Sequence, residues 1–124
     1  MSEVSKYLDN AKELLNKSPI EDNIYTNEKY VKSACGVAYL GVLKAIDEYL
    51  LKKGFTKKEL PKSVDAYRDA LQRHLAVRNG KLLREFEVIY DELHIAGYYR
   101  GILRHVGTVK EAFKAARSFI DKIG

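Results

Sequence analysis

Apolar residues recur along the chain at the three-and-four spacing of a helix face, and no segment shows the strict alternation of a half-buried strand. Val4, Tyr7, Leu8, Ala11, Leu14 and Leu15 mark a first amphipathic helix. It should stop near Ser18-Pro19, because the residue before a proline avoids helical dihedrals. A loop follows to about Tyr25. From Thr26 to Lys53 the pattern predicts a second helix with two stripes, one of Val31, Ala34, Ala38, Val42, Ala45 and Tyr49, the other of Gly36, Leu40, Leu43 and Leu50. A helix apolar on two sides has to bury both, which makes this the central one. Ala34, Gly36, Ala38, Gly41 and Ala45 allow neighbouring backbones to come close. Lys52, Lys53 and Gly54 then supply cations and a stop at its C-terminus.

Phe55 to Leu60 carries a capping box, Thr56 to Glu59, with Phe55 and Leu60 placed as a hydrophobic staple. Pro61 limits it to a short helical turn. Ser63 caps a third helix, with Val64, Tyr67, Leu71 and Leu75 facing the core, that runs to about Arg78 before Asn79-Gly80 breaks or bends it. A fourth helix is expected from about Lys81 to His105, burying Leu82, Phe86, Ile89, Tyr90, Leu93 and Ala96. Gly107 should end it. Thr108 to Glu111 reads as a second capping box opening the last helix, whose Val109, Ala112, Phe113, Ala116, Phe119, Ile120 and Ile123 form one broad apolar face. The expected architecture is all-α, a single-domain bundle of four to five main helices spanning residues 1–124.

Composition narrows the functional classes. With 46% hydrophobic and 31% charged residues the chain has the make-up of a soluble globular protein. The net charge of +5 would attract phosphates or acidic surfaces, yet it is spread over both halves and forms no basic arm. Cys35 is the single cysteine, which excludes a disulfide framework and a thiolate metal cluster, and fits a reducing cytoplasm. The start, Met-Ser-Glu-Val-Ser-Lys, lacks the pattern of a signal peptide. The longest uncharged stretch, Ser33 to Leu43, falls far short of the roughly 20 residues that span a bilayer, so no membrane segment is expected.

Candidate chemistry concentrates late in the chain. In a regular helix Tyr90, His94, Gly97 and Gly101 share one stripe, which suits a close helix crossing or a small polar pocket. Gly97 and Gly101 are expected to face the small residues of the second helix. Residues 93 to 110 hold His94, Arg100, Arg104, His105 and Lys110 without one carboxylate, and Tyr98 and Tyr99 lie among them. Guanidinium groups can hold phosphate oxygens and tyrosines can stack on a base, so His94, Tyr98, Tyr99, Arg100 and Arg104 suit a nucleotide or RNA. The same residues fit a solvated helix face, with Tyr98 and Tyr99 at the core boundary. His94 is expected to be a bundle histidine hydrogen-bonded to a tyrosine, since no Ser, Cys or Asp stands at a spacing that completes a triad. No His-x-x-x-His or Glu-x-x-His pair points to a metal, and no glycine-rich phosphate loop points to a cofactor. Lys52, Lys53, Lys57, Lys58 and Lys62, against Glu59, fit an anionic partner or ordinary helix-end solvation.

The run Leu93-His94-Ile95-Ala96-Gly97-Tyr98-Tyr99-Arg100-Gly101, with Pro61-Lys-Ser-Val64 and Asn79-Gly-Lys-Leu-Leu83 before it, resembles a small bacterial helical family known only as a domain of unknown function. More distantly, the helix order and the aromatic-rich fourth helix resemble the HEPN group of nucleotide-binding α-bundles. That resemblance implies toxin–antitoxin or nucleotidyltransferase partners and, in active ribonucleases, an Arg and a His separated by four to six residues. Arg68 with His74 and Arg100 with His105 match the spacing. On a straight helix the two side chains of such a pair diverge by about 120 to 140°, so they meet only at a helix end or across a dimer.

Two functions follow from these readings. The leading one is a non-catalytic module of protein association, as a homodimer or with a separately encoded partner. The other is a nucleotide- or RNA-binding protein, or a metal-independent ribonuclease using Arg100 and His105 with Arg104 and a tyrosine.

Overall fold

The computed structural model describes residues 3–75 and 80–123, and the chain is an all-α helical bundle with one very small hairpin. Of the expected break at Asn79-Gly80, Asn79, like Arg78 before it, lies outside the described residues, and Gly80 takes a left-handed φ of +66° just before the fourth helix. Helix α1 (Glu3–Asn16) buries Val4, Leu8, Ala11 and Leu15 at helical spacing and packs along α2 (Glu28–Lys52). Gly41 makes that crossing close, since a Cβ there would stand 2.9 Å from the Cβ of Tyr7. Helix α2 also packs against α5 (Val106–Ile123), so it is central as its two apolar stripes predict. Asn27 caps it, accepting a hydrogen bond from the Tyr30 amide, and the buried Ser18 hydroxyl accepts another from the Asn27 amide at 3.0 Å.

The segment expected to be loop contains β1 (Ile20–Glu21) paired antiparallel with β2 (Ile24–Tyr25). Asp22 and Asn23 both adopt positive φ, 50° and 63°, as a two-residue hairpin turn of the primed type requires. Strands of two residues are too short for alternation to register in a sequence. The hairpin is tied to the far end of the chain: the Tyr25 amide donates to the Arg104 carbonyl at 2.9 Å, and Ile24 bridges His105.

The Thr56–Glu59 box forms as expected, with the Thr56 amide donating to Glu59 at 2.8 Å around a 3₁₀ turn at Lys57–Glu59. Ser63 caps α3 (Val64–Ala70), which continues through a π-helical turn at Leu71–Leu75. Helix α4 (Lys81–Ile89) runs without interruption into a π-helix over Tyr90–Tyr99.

Here the structure departs most from the expectation of one helix to His105. The π-helix ends at Tyr99, where the Arg100 amide reaches back to the Ile95 carbonyl at 2.8 Å and the Ile102 amide to Ala96 at 2.9 Å. Gly101 then takes a left-handed φ of +66° and turns the chain into an extended stretch. Arg104 and His105 are therefore not helical. Helix α5 begins at Val106, so Thr108 and Gly107 lie inside its first turns and the second capping box does not open it. Once Gly101 has broken the helix, pairing with the hairpin aligns residues 104 to 106. The Val106 amide donates to the Asn23 carbonyl at 2.8 Å, which starts the helix earlier.

Candidate functional site

The wider turn of a π-helix, closed by i→i+5 bonds, brings residues four apart nearer to register than the 3.6-residue α-turn does. Tyr90, His94 and Tyr98 consequently form a ladder of rings. His94 lies 5.3 Å from Tyr90 and 5.9 Å from Tyr98 between centroids, both stacked. Tyr39 on α2 stacks on His94 from the side at 4.8 Å. The Arg68 guanidinium covers the outer ring, 5.1 Å from the Tyr90 centroid, while its Nε donates to both Glu87 oxygens at 2.7 and 3.0 Å and its Nη1 to Asp65. These carboxylates hold the Arg68 guanidinium still more firmly protonated than usual. Burial, followed by Tyr90, pushes the Tyr39 hydroxyl up to about 12.

His94 is therefore held by stacking. Among the described residues the hydrogen bond to a tyrosine that its position suggests does not form, and the rings instead lie nearly face to face. Gly97 faces away from the ladder and onto α2, as expected: a Cβ would stand 2.6 Å from the Cys35 Sγ. Burial raises the Cys35 thiol to about 12, so it behaves as a small apolar packing group. Gly101 also approaches α2, but past the helix end, where a Cβ would meet Glu28 at 2.6 Å.

Beside the ladder runs a groove of about 490 Å³ floored by Val37, Tyr39 and His94 and walled by Leu40, Leu43 and Tyr98. It corresponds to the second stripe of α2. The sequence pattern predicts that stripe to be buried; Leu50 is, but Leu40 is 51% exposed and Leu43 only half-buried. Among the described residues no other helix covers it: Gly97 seats the π-helix over Cys35, and Tyr98 leans on Gly36, whose missing Cβ makes room for the ring. Tyr98 is half exposed and Tyr99, beyond it, is 74% exposed.

The remaining candidates are dispersed. His74 meets the edge of Phe55 at 5.1 Å, far from the task of Arg68, so that pair does not converge. Arg100, Arg104 and His105 are all exposed, the first at the end of the π-helix and the other two in the extended stretch. Among the described residues, no three His, Cys, Asp or Glu side chains gather as a metal-binding group, and no helix is long and apolar enough to cross a membrane. Sequence reasoning missed Tyr39 and Arg68 as partners of the ladder. The four-residue spacing of Tyr90, His94 and Tyr98 was the available signal.

A family model described as Domain of unknown function (DUF5618) matches residues 1–124. The chain belongs to this family. A solved structure of a protein of unknown function from Dyadobacter fermentans is similar over 98% of this chain and 89% of its own, with 36% identity and a TM-score of 0.79. No curated protein matches the chain. The family membership agrees with the resemblance carried by residues 93 to 101; likeness to the HEPN group finds no support in these relatives.

Proposed function

We propose that the chain is a non-catalytic association module that pairs with a second copy of itself through the uncovered stripe of α2. The observation that carries this reading is the position of the groove: the central helix leaves Leu40 exposed and Leu43 half-buried beside Tyr39, His94 and Tyr98. Ridge and groove lie on one patch. A two-fold axis through such a patch sets the Leu40 ridge of each copy into the groove of the other, the self-complementary arrangement of an isologous dimer. Apart from His94 the lining carries no ionisable group other than tyrosine, which suits a second apolar surface better than a charged ligand. At its end, Glu28 stands beside Lys29 and Lys32, so a second copy meets both signs of charge there.

The alternative reading, nucleotide or RNA binding, draws on the exposed Tyr99, Arg100 and Arg104. Of the two Arg–His pairs, Arg68 with His74 is the weaker candidate, since a phosphate would have to take the Arg68 guanidinium from two carboxylates, which leaves Arg100 with His105 for the ribonuclease form. Salt separates the readings. Two copies that each carry +5 repel, so apolar pairing should strengthen as salt screens that repulsion, whereas phosphate binding should weaken. Sedimentation velocity should find a dimer that tightens with salt and a Leu40→Glu variant that is monomeric with unchanged helicity. A wild-type monomer up to millimolar concentration would overturn the proposal.

A further inference from the structure

A second concavity, of about 400 Å³, lies between α1 and α5 and shares no residue with the groove on α2. Both helices pack on α2, and their backbones come near each other at few points, which leaves the gap. Leu8 and Leu15 from α1 and Phe113 from α5 give it an apolar wall. Around them stand Lys12, Lys110, Lys114 and Arg117, and no carboxylate is among the lining residues. Lys110, Lys114 and Arg117 follow one another at helical spacing along one face of α5, with Lys12 presented from α1.

Among the described residues none of these four cations forms an ion pair. Arg68, with Glu87 and Asp65, Arg73, with Asp69, and Lys122, with Glu85, are paired, as these four are not. Four like charges around one cavity repel one another and burden the fold unless an anion sits between them. Tyr25 also lines the cavity, and its hydroxyl has no hydrogen-bond partner among the described residues. Burial keeps that hydroxyl protonated and so a donor. The Asn16 side chain adds a further polar group.

We propose that this cavity binds a small amphipathic organic anion, its carboxylate or phosphate head held by Lys12, Lys110, Lys114 and Arg117 and its hydrocarbon tail laid against Leu8, Leu15 and Phe113. The volume lies within the roughly 300–1,000 Å³ of small-molecule sites, and the division into an apolar wall and a charged rim matches a ligand divided the same way. Inorganic phosphate would use only the rim. A nucleic-acid strand needs a continuous charged track, whereas these cations ring a single cavity. This site does not depend on the pairing of α2 faces.

Calorimetric titration with octyl phosphate and octanoate tests the site, with octanol and inorganic phosphate as probes lacking the charge or the tail. Octyl phosphate or octanoate should bind, and the stronger of the two identifies the head group. Octanol and inorganic phosphate should each bind at least about tenfold more weakly than the better anion. The Lys114→Gln/Arg117→Gln double variant should weaken binding of that anion by about tenfold or more. It should melt no lower than wild type in the absence of ligand, because it relieves repulsion. The proposal fails if neither amphipathic anion binds, if either control matches the better anion, or if the double variant binds as wild type does.

Discussion

Gly97 and Gly36 face neighbours of different stiffness, and their substitutions should differ accordingly. A Cβ on Gly97 would stand 2.6 Å from the Cys35 Sγ, 2.7 Å from its Cβ and 3.1 Å from the Glu92 carbonyl oxygen, all held in the core. Overpacking of that kind costs on the order of 1–3 kcal/mol, more than the roughly 1 kcal/mol that alanine gains over glycine in a helix. Gly97→Ala should therefore lower stability in urea unfolding, and Cys35→Gly in the same chain should restore part of the loss through direct coupling. At Gly36 the nearest atom belongs to the half-exposed Tyr98 ring, 2.7 Å away, which can swing aside. Gly36→Ala should leave the urea midpoint nearly unchanged while shifting the ring resonances of His94. Equal losses at the two positions would contradict this account. The closeness at Gly97 was legible in the sequence, because a glycine within an apolar helical run so often marks a neighbouring backbone or a packed side chain.

At the scale of elements, the stripes of α1 and α2, the Thr56 box and the Ser63 cap could all be read from residue spacing, since each depends on neighbours within about one or two turns. The π-helix could not. Its i→i+5 bonds accompany the packing of Gly97 on α2 and the end of the run at Gly101, and a stripe drawn at 3.6 residues groups His94 with Gly97 where the structure stacks it on Tyr98. The exposure of Leu40 escaped for the same reason: a pattern shows that a face is apolar, not whether a partner element reaches it. The contact between α2 and the π-helix carries its own pH signature. The Tyr39 hydroxyl ionises near 10.0 in an unfolded chain and is pushed up to about 12 here, chiefly by burial and then by Tyr90 and Glu87 against the opposing Arg68. The folded state holds the proton more tightly, so this contribution to stability is full below 10.0 and is lost as pH rises towards about 12. Tyr39→Phe should flatten the decline of the urea midpoint across that window. A residual slope should persist from Tyr67, raised in the same direction by burial and Asp47. An unaltered slope would show that Tyr39 does not sense this environment.

For the whole molecule, the two surfaces are built on different helix pairs, the groove on α2 with the π-helix and the cationic cavity on α1 with α5 and Tyr25. All of these elements meet in one core, where Phe86 contacts both Tyr39 and Phe119, so a path between the surfaces exists through packed rings. Coupling through it would require a bistable element, and α1, α5 and the π-helix each pack on the same α2. Additivity is the expected outcome. Pairing should make the melting temperature rise with protein concentration, and a bound amphipathic anion should raise it further by mass action. Measured as free energies from urea unfolding, the anion's effect on wild type and on Leu40→Glu should agree to within about 0.5 kcal/mol, the usual tolerance for independent sites. If octyl phosphate instead changed the dimer dissociation constant about tenfold or more, the surfaces would be linked by at least roughly 1.4 kcal/mol. A closely packed core argues for the first result.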